Sequence, residues 1–120
     1  MIEIKNEFLS VAISELGAEL QSIKDNSGNE FLWQADEKYW NGKAPNIFPY
    51  VARLTEKKYT LFGKTYSMGT HGFARNSVFK ATKISDCEVT FSLSENEETL
   101  KQYPYKFQFE VSYKLDGNCL

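Results

Sequence analysis

From Phe107 to Leu115 apolar and polar residues alternate without a break. Phe107, Phe109, Val111, Tyr113 and Leu115 fall on one face, and Lys106, Gln108, Glu110, Ser112 and Lys114 on the other. Successive side chains of a strand point to opposite faces, whereas one face of a helix recurs every three or four residues, so this period belongs to a strand buried on one side. Such a strand needs partners, and shorter segments supply them. Residues 2–5 and 8–13 flank the turn Asn6-Glu7, and residues 19–24 and 30–33 flank the dense turn signal 25–29. Residues 51–54 read as a short strand entering a hairpin, whose partner region holds 59–62 and 65–68 around Gly63-Lys64. Gly63 as first central residue fits a type II′ turn. Residues 78–84 and 89–94 flank a further turn at 85–88. Helix is confined to one turn at 36–40, capped by Asp36, and to residues 96–103, which stop before Pro104. Two prolines between Lys43 and Tyr50 make that segment an ordered loop. The expected class is all-β with antiparallel sheets.

Asp116-Gly117-Asn118 is a turn signal with only Cys119 and Leu120 after it. The expectation is a single domain over residues 1–120 that breaks off in mid-sheet, leaving a strand edge open to self-association. A frayed terminus after the last strand is the alternative.

Composition removes several function classes. A net charge of −2 and a pI near 5.5 do not provide the clustered basic face that a nucleic-acid partner needs. No run is long enough to span a membrane, and the first five residues lack a signal-peptide layout. Cys87 and Cys119 have no metal-ligand spacing and only one histidine to accompany them. The reading is a cytoplasmic protein with reduced thiols, no bound metal, no cofactor, no nucleic-acid partner and no membrane partner.

The chemistry concentrates between Asn46 and Arg75. Asn46-Ile47-Phe48-Pro49-Tyr50-Val51-Ala52-Arg53 carries an arginine on an apolar background, and Gly69-Thr70-His71-Gly72-Phe73-Ala74-Arg75 carries the only histidine of the chain. The glycines beside His71 let backbone approach a ligand closely, and Phe73 can pack beneath the loop. A neutral imidazole can accept or donate a hydrogen bond, which suits a sugar hydroxyl or ring oxygen. Taken alone, each residue has a plainer reading: a structural histidine, a salt-bridged Arg53, a solvated Arg75 and aromatics that are simply core. Together they make Asn46, Arg53, His71 and Arg75 the candidate contacts for a polar, ring-shaped ligand, with His71 also the candidate catalytic residue.

These two stretches, with Gly63-Lys64-Thr65-Tyr66 and the register from Tyr103-Pro104-Tyr105 to Gly117-Asn118, resemble the N-terminal part of the galactose mutarotase-like (aldose 1-epimerase) superfamily. The resemblance is strongest to its bacterial LacX-like branch. It covers essentially the whole chain and implies part of a large antiparallel β-supersandwich. It also implies a cofactor-free carbohydrate isomerase that interconverts the anomers of a hexose. In that family a glutamate takes the proton of the anomeric hydroxyl while a histidine protonates the ring oxygen; the ring opens and closes again on the other face. Arg53 and His71 match the family's substrate-contacting arginine and first histidine. Ala52 stands where mutarotases proper have an asparagine, and Phe73 where they have a second glycine. The His-Gly-Phe-Ala-Arg form is similar also to the hexose-6-phosphate epimerase branch, in which Arg75 would be the residue near phosphate. The family's general acid is a later histidine and its general base a later glutamate. No residue of this chain matches either, so the chain alone is expected to be inactive, and a non-catalytic carbohydrate-binding protein is the alternative reading.

Overall fold

In the computed structural model, which describes all 120 residues, three antiparallel sheets follow one another along the chain. Strands β1 (Ile2–Lys5), β2 (Leu9–Ile13) and β3 (Leu20–Asp25) form the first as a meander. Strands β4 (Lys58–Leu61) and β5 (Lys64–Ser67) form a two-stranded hairpin. Strands β6 (Lys80–Ser85), β7 (Glu88–Ser94) and β8 (Gln108–Lys114) form the third, with β7 in the centre. One short helix, α1 (Glu97–Gln102), separates β7 from β8. The expected all-β antiparallel class is the one observed.

The alternating segment does what its pattern requires. Its register on β7 sets Tyr113 opposite Val89, Val111 opposite Phe91 and Phe109 opposite Leu93. Val89 and Phe91 are fully buried and Leu93 nearly so. Ile4, Val11 and Ile13 from the first sheet join the same core, as do Met68, Phe73, Ala74 and Phe79. Each fully buried side chain of this size contributes about 1.5–3 kcal/mol relative to exposure. Phe73 and Ala74 belong to the histidine loop, so the core runs directly beneath it. Backbone bonds stitch the outer sheets together: Phe79 N–H donates to the Glu15 carbonyl at 2.8 Å and Lys5 N–H to the Asp86 carbonyl at 2.8 Å. The molecule is a slab of 55 × 36 × 19 Å, its short dimension close to two sheet layers at about 10 Å spacing.

Three local expectations are corrected, each by a hydrogen-bond competitor or a turn residue. Residues 30–33 do not form a return strand; one bridge joins Lys24 to Glu30 and pairing goes no further. The Glu30 carboxylate accepts the N–H groups of Ile23 and Leu32, at 2.8 and 3.0 Å, and the Ser22 hydroxyl. It thereby takes a donor that a ladder would have used. Desolvation opposes the charged form of Glu30, but these donors outweigh it and hold its carboxyl below the ordinary value. Residues 51–54 are not a strand either, because Ala52 turns into the left-handed region at φ 75° and a 3-10 turn follows at Thr55–Lys57. The β4–β5 turn has Phe62 and Gly63 as its central residues, at φ 49° and 77°, which fits type I′ rather than II′. At residues 36–40 the expected single turn is present without extending into a helix: Trp40 N–H donates to the Asp36 carbonyl at 2.9 Å, and the Asp36 side chain accepts from Lys38 N–H at 2.9 Å as a cap.

Helix α1 is only six residues long and depends on its start. The Asn96 side chain accepts from the N–H groups of Glu98 and Thr99 at 3.0 and 2.9 Å, while the Thr99 hydroxyl receives the Asn96 N–H at 2.8 Å. Thr99 is also the one buried polar residue. Replacing Asn96 by alanine should cost about 1 kcal/mol. A thermal melt would register this together with faster amide exchange confined to residues 97–102.

Candidate functional site

The two stretches singled out by sequence lie side by side, held by a ladder of contacts from Phe48 to Ala52. The Phe48 carbonyl accepts the N–H groups of Phe73 and Ala74 at 3.0 and 3.3 Å. Phe48 and Gly72 form a parallel bridge, and the peptide from Phe48 to Pro49 is cis. The Tyr50 hydroxyl donates to the Gly69 carbonyl at 2.6 Å. At the end of the ladder Ala52 and His71 hold each other reciprocally: His71 N–H donates to the Ala52 carbonyl at 2.8 Å, and Ala52 N–H donates to His71 Nδ1 at 2.9 Å.

This closeness needs Gly72. A Cβ there would sit 2.1 Å from the Phe48 carbonyl oxygen and 2.6 Å from Pro49 Cδ, and Gly72 has φ 71°. Beneath the ladder the Phe48 ring stacks on Phe109 with centroids 4.8 Å apart and meets Phe73, Tyr103 and Phe107 at 5.8, 5.8 and 5.1 Å. The loop pair is thus seated on the inner face of β8 and on the residue that leads into it.

The four candidate residues separate into two groups. Arg53 follows the clasped Ala52 directly, is exposed, and has no hydrogen-bond or salt-bridge partner. It lines a surface cavity of about 440 Å³ with its sequence neighbours Leu54, Thr55, Glu56 and Lys57, and His71 is not part of that lining. His71 is half-buried, with Nδ1 occupied by Ala52 N–H. The clasp therefore brings the backbones of Arg53 and His71 together.

Arg75 and Asn46 lie apart from the clasp. The backbone of Arg75 presses on Gly17, whose added Cβ would fall 2.9 Å from the Arg75 carbonyl oxygen, and its guanidinium also has no protein partner. Asn46 is committed inward: its amide NH₂ donates to the carbonyls of Gly17 and Ala18 at 3.0 and 2.8 Å and reaches the Tyr113 hydroxyl at 3.3 Å. Burial raises the Tyr113 hydroxyl above its ordinary pKa, with the Asn46 amide acting in the opposite direction. Asn46 thus anchors the start of the loop to the first sheet and to β8.

The sequence marks Tyr50 only as an aromatic for stacking on a sugar or for the core, and Ala52 only as a replacement for the family's asparagine, so neither stands out as a tie between the two loops. An alanine has no side-chain chemistry to notice, and only its backbone takes part. The Tyr50 hydroxyl is similarly a loop tie, which no spacing rule distinguishes from a core aromatic.

A family model described as Aldose 1-epimerase matches residues 1–120. Protein LacX (chromosomal) of Lactococcus lactis subsp. lactis is 41% identical over 124 residues, covering 99% of this chain and 42% of that protein. The chain therefore spans about two fifths of the length of the curated relatives it matches. Among solved structures, a galactose mutarotase related enzyme from Lactobacillus acidophilus is 47% identical with a TM-score of 0.93, covering 98% of this chain and 39% of that one. A galactose mutarotase-like protein from Lactobacillus casei is 40% identical with a TM-score of 0.92, covering 98% and 40%. The sheets described above are thus a portion of the galactose mutarotase-like fold. With the family model matching along its whole length and LacX similar over nearly all of it, the chain belongs to the aldose 1-epimerase family, in its LacX-like branch.

Proposed function

We propose that this chain forms the sugar-holding part of an aldose 1-epimerase-like carbohydrate isomerase, with Arg53 and His71 as its ligand contacts. The observation that carries the reading is the Ala52–His71 clasp, which holds the backbone of Arg53, whose guanidinium has no protein partner, next to that of His71, whose Nε2 is not used by the protein. Arg53 would hold hydroxyls of a hexose, and His71 would hydrogen-bond the ring oxygen or a neighbouring hydroxyl and stabilise charge developing there. No residue of the chain is assigned to proton transfer as general acid or base. Asn46 would act by positioning the loop.

A second reading, a hexose 6-phosphate as ligand, is favoured by the unpaired guanidinium of Arg75, since planar guanidinium groups suit phosphate oxygens. Calorimetric titration with glucose, galactose and glucose 6-phosphate separates the two. Arg53→Ala is expected to weaken binding of all three by about tenfold or more, the loss of a charge-assisted hydrogen bond being about 1.5–3 kcal/mol. Arg75→Ala should weaken the phosphorylated sugar alone if the second reading holds. In polarimetry the chain by itself should leave mutarotation at the spontaneous rate. Sugar binding that is indifferent to Arg53, or clear catalysis by this chain, would contradict the assignment.

A further inference from the structure

We infer that the backbone of Ala52 is a positioning element that fixes the tautomer of His71, so that His71 meets its ligand as a hydrogen-bond donor through Nε2. A backbone amide can only donate. Its approach to 2.9 Å from Nδ1 therefore requires a lone pair on that nitrogen, and in a neutral imidazole the proton then resides on Nε2. The second bond of the clasp, from His71 N–H to the Ala52 carbonyl at 2.8 Å, ties the same residue's backbone to the same partner. With both its ring and its main chain held by one residue, the imidazole has little freedom to turn over and exchange its two nitrogens.

The backbone conformation supports this reading. Ala52 and His71 have φ of 75° and 64°, a left-handed region that is costly for an L-residue. Both carry that cost at the position where their polar groups meet. Because the N–H and C=O of residue 52 do the positioning, the methyl group contributes nothing to it. A side chain at 52 is constrained only by its tolerance of positive φ, which glycine and asparagine have.

One chemical consequence rests on the function proposed above. While the clasp is closed, Nε2–H can donate to a ring oxygen or to a hydroxyl lone pair but cannot take a proton from a hydroxyl. His71 would then polarise an acceptor oxygen of the sugar, and it would not serve as the base.

His71 is the only histidine in the chain, so its ring nitrogens can be observed by multiple-bond ¹⁵N–¹H NMR without ambiguity. At about pH 8.5, well above the ordinary imidazole range, the expected spectrum has a protonated Nε2 and an unprotonated Nδ1. A protonated Nδ1, or an averaged pair, would overturn the inference. Amide exchange gives the second measurement. In His71→Asn the shorter side chain tolerates positive φ and can still accept from Ala52, so the Ala52 amide should remain protected. In His71→Ala it should exchange at least tenfold faster. Equal exchange in the wild type and His71→Ala would also overturn the inference. None of these measurements contains a sugar. Failure of aldose binding would leave the tautomer result standing, and a wrong tautomer with intact binding would remove this inference alone.

Discussion

Gly72→Ala is expected to lower the unfolding free energy by about 3–5 kcal/mol, the combined scale of a left-handed backbone strain and an overpacked contact. At φ 71° the added methyl would sit against the Phe48 carbonyl oxygen at 2.1 Å, a distance no side-chain rotation relieves because the backbone fixes the Cβ position and the oxygen it meets is itself backbone. The loops would have to separate, and the bonds from Phe73, Ala74 and His71 to the opposite loop would lengthen with them. Gly63→Ala is the control. Gly63 has a similar φ of 77° with nothing within 4 Å of the added Cβ. It should lose only about 1 kcal/mol, the conformational part alone. Urea unfolding of the two variants measures the difference. Equal losses would mean that the two loops do not approach each other as described.

Phe48→Ala should cost about 3 kcal/mol, the lower end of the range for removing a packed phenylalanine, because Phe48 is only half-buried. Its ring faces four other aromatics at centroid distances between 4.8 and 5.8 Å, and these link the histidine loop (Phe73) to β8 (Phe109). Loss of the ring leaves the clasp without its support, so amide exchange at residues 69–75 should accelerate together with the fall in stability. Val51→Ala, three residues along and 72% exposed, should stay within about 0.5 kcal/mol of the wild type. A Phe48→Ala loss as small as that would show that the loop is held by its hydrogen bonds alone.

How much of this was legible in the sequence follows from where each structural decision is made. The strand at β8 was readable because burial on one face writes a two-residue period into the side chains. The β1–β2 and β6–β7 hairpins were readable for a related reason, with polar turn residues between apolar alternations. The failures occur where a single side chain or backbone torsion overrides the pattern. Glu30 displaces a strand by taking the Ile23 N–H, and no periodicity records that competition. Phe62 occupies a positive-φ turn position at 92% exposure, where propensity would have placed a polar residue or glycine.

The candidate site divides in the same manner. Arg53, His71 and Arg75 are conspicuous because charge and a lone imidazole stand out on an apolar background. Asn46 was conspicuous too, yet its amide donors are directed to Gly17 and Ala18, contacts 29 and 28 residues distant in sequence. Ala52 stands out in the sequence only as a replacement for the family's asparagine, and its clasping role leaves no trace, since what it contributes is a peptide group that every residue except proline possesses.

The central claim is that Arg53 and His71, brought together by the clasp, hold a hexose. Titration of the ¹⁵N-labelled chain with glucose and galactose, followed by amide and ring-nitrogen chemical shifts, tests it most directly. The account predicts saturable shifts that centre on Ala52, Arg53 and His71, with the largest ring response at Nε2 and with Arg53→Ala abolishing or weakening them together. Shifts absent at both sugars and at glucose 6-phosphate, or saturable shifts centred elsewhere on the slab and unaffected by Arg53→Ala, would contradict it.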